Sequence, residues 1–460
     1  MTTVAASELT EALQAGESET CEFRSSFGDE ALRTLCAFAN TRGGTLWVGV
    51  RDDGVVAGVV LGKETLRDWA NQIRQTLGVN ATLDALEVDG KTVVRIAVAE
   101  SNAKPVRFKG RSWKRAGSTD QHASDEDETR WVLERVGQTW DALPEPRARW
   151  EDLSPEQMAR FRRLCNQQGR RLIPDSEDDA TVLRKLGLIT PDGQITRAAV
   201  LLFGQEPQRF YHTALVRIGR FQDERLIHVL DDYPVYGTLW DQVEGAMAYL
   251  RQHMQMRYGP TPEPARQVVW EYPLEALREA IINAVCHRDY LIHSQTQIRW
   301  FPDSLVIVNP GELMPPLTLE SLKQTHPSRL RNPLIAEMFY YAGWIEQWGS
   351  GIHKILTECA QAGLPEPQFR CDGWLWLTFR KDIFTEEYLQ SLGLNERQIR
   401  AVAWAKEKGG ITNAEYQSLA SVSARTASRE LAVLVQRGVL EQVGKTGRGT
   451  RYVIKTPKTP

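Results

Sequence analysis

The sequence predicts an α+β protein that is divided into several domains. Strand-like and helix-like segments alternate over the first 140 residues, an amphipathic helix with two polar side chains follows near residue 280, and a basic segment with helix signals ends the chain. A chain of 460 residues has room for about three domains, and 42% hydrophobic with 25% charged residues is typical of globular proteins. We therefore expect an α+β multidomain fold.

Changes in composition mark the domain boundaries. A Leu-Pro-Glu-Pro segment at 143–146 and a segment with Gly and Pro at 259–264 are typical of linkers. We expect an α/β domain at 1–140, a helical or mixed bridging segment at 150–260, a second α/β domain at 265–385 and a small helical domain at 393–455. No run approaches the 18 or so apolar residues of a membrane span, the N-terminus lacks a secretory pattern, and the six cysteines are scattered. These features favour a cytoplasmic protein without a membrane partner.

Three carboxylates lie at predicted strand ends in the first domain. Glu17 precedes a strand at 20–24, Glu22 lies within it, and Asp53, with Asp52 as the alternative, follows an apolar strand at 45–50. Clustered carboxylates bind divalent cations that activate water for phosphodiester cleavage, so these residues are candidate metal ligands and catalytic residues. A polar strand edge followed by an ordinary turn would look the same, and spacing alone favours that interpretation.

A basic segment at 102–116 contains no acidic residue and has Phe108 and Trp113 between its cations. Basic side chains neutralise phosphates and aromatic rings stack on bases, so we predict a nucleic-acid contact here. A solvated hairpin edge is the alternative interpretation. The candidate residues are Lys104, Arg107, Lys109, Arg111, Lys114 and Arg115.

The strings GESETCEFRSS, LCAFANTRGGTLWVGVRDDG and KPVRFKGRSWKRAGS resemble the AlbA-like domain of Schlafen proteins over about residues 10–135. The resemblance implies a metal-dependent ribonuclease centre that cuts tRNA and related RNAs, with Glu17, Glu22 and Asp53 on its ligand positions. The zinc-binding Cys and His residues of animal Schlafens are missing. Animal Schlafens use two such lobes in one chain, so a single lobe implies a homodimer or larger homo-oligomer.

An amphipathic helix is predicted at 274–290, with apolar residues at three- and four-residue steps. Glu279 and Asn283 are four residues apart and therefore share one face of this helix. Glu279 could orient or deprotonate a water, and Asn283 could offer its carbonyl oxygen to Mg²⁺ that also holds phosphates. A solvated helix face is the alternative. Gly349 and Gly351 open a further predicted helix, which allows backbone N–H groups to approach phosphates.

A Glu-x-x-x-Asn helix, a strand ending in Asn-Pro-Gly and a Gly-x-Gly helix start resemble the ATP-binding domain shared by gyrase and histidine kinases. NAVCHRDY, VNPGEL and EQWGSGI resemble its divergent branch in bacterial proteins often labelled helicase-related. The resemblance implies a Bergerat-type α/β sandwich that binds ATP and Mg²⁺. Asn309 takes the place of the Asp that reads the adenine amino group, with Gly311 in the same glycine box. Asp289 is a second candidate base reader.

The C-terminal segment resembles a winged helix-turn-helix. Three predicted helices precede two short strands, and residues 395–460 carry 12 Lys+Arg against five Asp+Glu, a net charge of +7 against −10 for the rest. The resemblance implies that Arg425 and Arg429 on the third helix enter a DNA major groove, while Lys445 and Arg448 in the wing contact phosphates. A winged helix that contacts protein is the alternative.

Two functions fit these predictions. The first is a metal-dependent nuclease, with Mg²⁺ or Mn²⁺, that acts on RNA, gated by the nucleotide site and used in antiviral defence against phage. The second is an ATP-sensing regulator of transcription that binds DNA and has no nuclease activity. The sequence leaves open whether ATP is hydrolysed or only sensed.

Overall fold

A computed structural model describes residues 2–259, 267–324, 329–346, 349–381, 384, 386–443 and 450–455. The first unit folds around a four-stranded sheet of order β1-β2-β4-β3, in which only β1 and β2 run parallel. A three-stranded sheet, β5-β6-β7, lies beside it. The elements are α1 (Thr2–Ala15), β1 (Cys21–Arg24), α2 (Asp29–Asn40), β2 (Gly44–Val48), α3 (Thr65–Leu77), β3 (Ala81–Val88), β4 (Lys91–Val98), β5 (Arg107–Phe108), β6 (Arg111–Ala116), β7 (Thr119–His122) and α4 (Asp125–Arg135).

The turn between α2 and β2 must contain glycine. Gly43 has a φ of +73°, and a Cβ built there would lie 2.7 Å from the Val98 carbonyl oxygen. A side chain would therefore meet both backbone strain and a steric clash. This close approach lets the apolar face of α2, with Leu35 and Phe38, pack onto the sheet around Leu46.

A helical segment follows, made of α5 (Pro155–Gln168), α6 (Asp179–Lys185), α7 (Arg197–Phe203) and α8 (Pro207–Phe210). Its apolar residues share one core with the next unit, because Phe161 and Phe203 belong to the same buried cluster as Leu277 and Phe339. These helices are therefore packed onto the following domain as part of one core.

The second sheet has six strands in the order β14-β15-β13-β12-β8-β9. Strand β8 pairs in parallel with β12, so the sheet includes strands from before residue 265, and the structural unit is larger than the predicted range 265–385. Strand β13 continues through Asn309 to Pro310 and pairs with β15 over its whole length. The elements are β8 (Val216–Phe221), β9 (Val229–Val235), α9 (Leu239–His253), β10 (Met256–Gly259), β11 (Gln267–Trp270), α10 (Leu274–His287), β12 (Thr296–Trp300), β13 (Ser304–Pro310), α11 (Leu319–Leu322), α12 (Pro333–Tyr341), α13 (Gly351–Gln361), β14 (Gln368–Cys371) and β15 (Trp374–Arg380).

The C-terminal unit has its own apolar core and a three-stranded sheet of order β16-β18-β17. Lys445 and Arg448 lie outside the described residues. Among the described helices, none is long and apolar enough to cross a membrane. The elements are α14 (Glu386–Ser391), α15 (Glu396–Lys408), β16 (Ile411–Thr412), α16 (Asn413–Ala420), α17 (Ala424–Gln436), β17 (Leu440–Val443) and β18 (Arg451–Ile454).

Buried ion pairs connect elements within the first and last units. In the first, Arg115 on β6 is only 4% exposed and donates to Glu22 on β1 and to Asp120 on β7, both at 2.8 Å. In the last, Glu430 on α17 is 5% exposed and accepts from Tyr416 on α16 at 2.6 Å, as well as from Arg397 on α15. The Arg115–Glu22 and Arg397–Glu430 pairs tie together elements that are distant in sequence.

Replacing Arg115 should destabilise the first unit far more than replacing an exposed cation of the same segment. In Arg115→Met, Glu22 and Asp120 lose a buried partner, which should cost about 3 kcal/mol or more. Lys109→Met is the matched control, since the Lys109 side chain is 64% exposed and its ion pair with Asp29 should contribute less than about 1 kcal/mol. Urea unfolding followed by hydrogen exchange of β1 and β6 measures the difference. Equal stability of the two variants would contradict a structural role for Arg115.

Glu430→Ala should destabilise the C-terminal unit by about 2 kcal/mol, because it leaves Tyr416 and Arg397 without their acceptor. The hydrogen bond from Arg397 lowers the pKa of Glu430. A carboxyl with a depressed folded pKa stabilises the fold above its unfolded pKa, so this contribution should be lost as the pH falls below about 4. Thermal unfolding between neutral and acidic pH, with exposed Glu441→Ala as the control, measures both effects. An unchanged pH dependence in Glu430→Ala would show that this network does not stabilise the unit.

Candidate nucleotide and nucleic-acid sites

A cavity of about 290 Å³ lies between α10, β13 and α13. Glu279 and Asn283 project from α10 into it, as their four-residue spacing predicts. Asn283 Nδ2 lies 3.3 Å from Glu279 Oε1, to which it donates a hydrogen bond. The start of α13, with Gly349 and Gly351, lines the cavity beside these two side chains.

Burial controls the charge of Glu279. The residue is 9% exposed, and desolvation raises the pKa of its carboxyl above the ordinary value. The ammonium group of Lys354 on α13, which lines the same cavity, opposes this rise. A carboxylate in this environment is suited to holding or accepting a proton at the cavity wall.

Glycine leaves room for polar side chains of α10 where α13 meets it. A Cβ at Gly351 would be closer to Glu279 Oε1 than van der Waals contact allows and would lie 3.1 Å from Asn283 Nδ2. Gly311 at the end of β13 has a φ of +106°, and a Cβ there would lie 2.7 Å from the Cβ of Asp289. Both glycines permit close packing around the cavity.

Asn309 lines the cavity beside apolar side chains of the sheet. It is 4% exposed, pairs across the sheet with Leu375, and follows Ile307 on the same face of β13. Its Oδ1 accepts a hydrogen bond from Thr296 Oγ1 at 2.8 Å. The sheet therefore gives the cavity an apolar wall around Asn309, and α10 contributes the polar groups of Glu279 and Asn283.

The position of Asp289 does not match its predicted role as a base reader. It is 3% exposed and does not line the cavity. Its Oδ2 accepts from Arg130 on α4 at 2.5 Å and from Arg331 at 3.0 Å. Arg331 does line the cavity, so Asp289 links the cavity wall to the first unit.

The predicted carboxylates of the first unit converge on an arginine. Arg24 pairs with Glu22 on the same strand, and its guanidinium lies 3.9 Å from Glu17 and 3.7 Å from Asp52. Burial raises the pKa of Glu22, and Arg24 and Arg115 oppose that rise. Three of the carboxylates thus surround a protein cation.

Asp53 pairs with a different arginine from these carboxylates. It pairs with Arg51 at 2.8 Å, and a hydrogen bond from the Val55 backbone N–H lowers its pKa. Asp52, the alternative to Asp53 in the sequence, is therefore the carboxylate that lies with Glu17 and Glu22 around Arg24. Within the described residues, no three His, Cys, Asp or Glu side chains are arranged to hold a metal ion.

The cations of the basic segment are mostly engaged by carboxylates. Arg115 is buried, so its position favours a structural role over the predicted contact with nucleic acid. Arg111 is exposed and lies 3.4 Å from His122. The other ion pairs are Lys104–Glu100 at 2.5 Å, Arg107–Glu128 at 2.5 Å, Lys114–Asp127 at 2.6 Å and Lys109–Asp29.

Helix α17 presents its first turns to solvent. Ser423 caps the helix by accepting from the Thr426 backbone N–H at 3.3 Å. Arg425 and Arg429 are both exposed and four residues apart, so they share a face. This arrangement leaves both guanidinium groups accessible to a partner.

Sequence reasoning did not single out two residues of these sites. Lys354 follows the Gly-x-Gly start by three residues, and only the packing of α13 on α10 brings it to the cavity. The sequence did indicate that Arg24 lies near Glu22, because residues two apart on a strand share a face and Arg24 is two residues from Glu22.

Comparison with protein families identifies two of the units. Residues 17–124 match the family described as "Schlafen, AlbA_2", and residues 293–379 match "Putative ATP-dependent DNA helicase recG C-terminal". Residues 131–215 match a domain of unknown function. No curated protein gives a significant match.

Two solved structures are similar to this chain, one over nearly its whole length and one over part of it. The DIP2311 protein from Corynebacterium diphtheriae is 18% identical, with a TM-score of 0.43, and the alignment covers 97% of this chain and 98% of that one. The N-terminal domain of a RecG-related protein from Nitrosomonas europaea, titled a putative ATP-dependent DNA helicase, is 27% identical, with a TM-score of 0.20, and the alignment covers 26% of this chain and 93% of that one. The family matches show that this chain carries a Schlafen AlbA_2 domain and a RecG-like C-terminal ATPase-type domain, and they support a nucleic-acid-related, ATP-binding protein.

Proposed function

We propose that this protein is a nucleotide-dependent nucleic-acid-binding regulator, in which ATP and Mg²⁺ occupy the cavity between α10 and α13. The observation that carries the proposal is the meeting of Glu279, Asn283 and Gly351 on one cavity wall. An acid, an amide and a glycine helix start are groups that can hold a magnesium nucleotide.

The cavity fits a nucleotide in its chemistry. Ile307, Leu375 and Leu377 form an apolar end for a base, and the amide of Asn309 supplies polar groups there. At the other end, the backbone N–H groups at the start of α13 and the ammonium of Lys354 would receive phosphates. We assign this unit to the Bergerat-type sandwich on these grounds.

Two residues would act on the bound group. Asn283 would offer its carbonyl oxygen to Mg²⁺, which neutralises phosphate charge when bound. Glu279 would orient a water and accept its proton if hydrolysis occurs. Burial raises the pKa of Glu279, so this carboxylate becomes protonated at a higher pH than an ordinary glutamate does. As the pH is lowered, hydrolysis should therefore be lost at a correspondingly higher pH.

The C-terminal unit would provide the DNA contact. Its order of helices and strands, with β16 and the β17–β18 pair around α15 to α17, supports a winged helix-turn-helix. Arg425 and Arg429 would approach DNA from exposed positions on α17. A protein partner for this surface is the alternative.

The contact at Asp289 could transmit occupancy of the cavity. Arg331 lines the cavity and donates to Asp289, which also holds Arg130 of α4. A change in the position of Arg331 would therefore alter the attachment of α4, which follows the basic segment at 102–116 in the chain. This connection supports gating of the nucleic-acid-binding parts by the nucleotide.

A metal-dependent nuclease that acts on RNA, with tRNA as the first substrate to test and phage defence as its role, is the second candidate. The convergence of Glu17, Glu22 and Asp52 favours it. Arg24 lies among these carboxylates, however, so a metal ion would require this guanidinium to move. We therefore rank the regulator first.

Asn283→Ala should weaken binding of ATP with Mg²⁺ by about tenfold or more, because a ligand of the metal is lost. Isothermal titration with ATP, with and without Mg²⁺, measures the effect, and chelating Mg²⁺ should reduce the wild type to the level of the variant. Asn71→Ala, at an exposed position on α3, is the matched control. Normal ATP affinity in Asn283→Ala would remove the proposed site.

Asp52→Asn should separate the two candidate functions, since Asp52 is 78% exposed and its loss should not affect folding. If the protein is a nuclease, cleavage of tRNA in Mn²⁺ should fall about 100-fold or more in Asp52→Asn and in Glu22→Gln, while Asp53→Asn stays active. Purified protein is incubated with tRNA and with DNA, with and without ATP. Cleavage that persists in both Asp52→Asn and Glu22→Gln would contradict a nuclease centre at these carboxylates. A wild type that protects a specific promoter sequence without cleaving it would support the regulator.

A further inference from the structure

The open face of the six-stranded sheet contains a second and larger recess. Helices α9 and α10 pack on the other face of this sheet. Here a groove of about 790 Å³ lies between the β8–β9 loop, which contributes Glu224 and Leu226, and α11, which contributes Glu320 and Lys323. Its floor is formed by strands β12, β13, β15 and β14.

Strand register brings one aromatic and two cations together on this floor. Trp376 on β15 pairs with Arg370 on β14, and Arg299 on β12 has its side chain on the same face. The guanidinium of Arg299 lies 5.1 Å from the centre of the Trp376 ring, and that of Arg370 lies 4.3 Å from it. The floor thus presents flat, positively charged groups stacked around an indole.

The charge of Arg299 is balanced differently from the charges of the basic segment at 102–116, most of which pair with carboxylates. Its Nε and Nη2 donate to Gln297 Oε1 at 2.9 and 2.8 Å, and within the described part of the chain no carboxylate forms an ion pair with it. Burial and the neighbouring Arg370 lower its pKa, so the two guanidinium groups repel each other. An anion between them would relieve this repulsion.

The opposite side of the cluster is anchored. Asp372 accepts from Trp376 Nε1 at 2.6 Å and lies 3.4 Å from Arg370. This carboxylate holds the indole and one guanidinium in place while Arg299 remains available. The cluster is therefore ordered before any ligand arrives, which lowers the entropy cost of binding.

The groove leads toward the C-terminal unit. Arg380 lines both this groove and a second cleft of about 290 Å³ formed with the C-terminal unit. The cleft is lined by Lys381, which pairs with Glu271, by Lys406 and Lys455 as further cations, and by Asp303 as an acid. Positive groups therefore continue from the sheet to the unit that carries α17.

We propose that this groove binds single-stranded nucleic acid, with phosphates near Arg299 and Arg370 and with bases stacked on the guanidinium and indole planes. Every base has a π-face, so this mode tolerates different sequences. The floor is four β-strands wide and measures roughly 14 Å between its outer β-strands. A groove of this width suits one nucleic-acid strand better than a duplex enclosed by both walls. The inference rests on the proposed nucleic-acid function and adds the place and the kind of strand.

Fluorescence anisotropy of the full chain with labelled DNA and RNA single strands of about 12 nucleotides tests the groove. Arg299→Gln combined with Arg370→Gln should weaken binding about tenfold or more and should reduce the slope of log affinity against log salt by about 1.4 for two lost phosphate contacts. Trp376→Leu should also weaken binding, whereas Trp376→Phe should retain most of it, because a ring for stacking remains.

The matched control is Arg163→Gln combined with Arg184→Gln, which removes the same charge from exposed helical positions outside the groove. Thermal unfolding of each variant confirms that it is folded. Unchanged single-strand affinity in the groove variant would overturn the inference and leave the nucleic-acid function standing, as would a wild type that prefers duplex and is unaffected by the groove variant. A wild type that binds no nucleic acid would overturn both.

Discussion

The close approach of α13 to α10 at Gly351 is the constraint on which the nucleotide cavity depends. Glu279 and Asn283 reach the cavity because they share a face of α10, and Gly351 leaves room for their side chains. A methyl group at this position would push the carboxylate away, because its own oxygen is the nearest atom. The cavity therefore depends as much on a missing side chain as on the polar side chains that line it.

A second constraint runs through the charged groups of the first unit. Cations that look available in sequence are held by carboxylates from other elements, as Arg115 is by Glu22 and Asp120. A buried carboxylate needs such a partner, because leaving its charge unpaired is costly. Local charge counts cannot reveal this compensation, since Glu22 and Arg115 are far apart in the chain. Arg299 differs because its guanidinium donates to the neutral amide of Gln297, which leaves its charge for a ligand.

Local patterns predicted local structure well. The apolar spacing around Leu277 and Ile281 predicted α10, which begins at Leu274 as expected and ends at His287, three residues before the predicted end. The extent of the sheet could not be predicted, because β8 pairs with β12 some 80 residues later and nothing local specifies that partner. The third carboxylate was ambiguous for a similar reason: Asp52 and Asp53 are neighbours, and only the turn geometry directs one to Arg24 and the other to Arg51.

Asp289 shows how a residue with one predicted role can be placed for another. It comes after α10, close in sequence to the polar pair, but its backbone N–H donates to the Pro310 carbonyl and its carboxylate turns to Arg130 and Arg331. In the proposed mechanism, a phosphate in the cavity would attract Arg331. Arg331 would then no longer donate its hydrogen bond to Asp289. Because Asp289 is buried, it would then depend more strongly on Arg130, and α4 would be held more tightly. A single buried carboxylate between two arginines thus gives the cavity a physical route to the first unit, without any large movement of the sheet that separates the nucleotide cavity from the open groove.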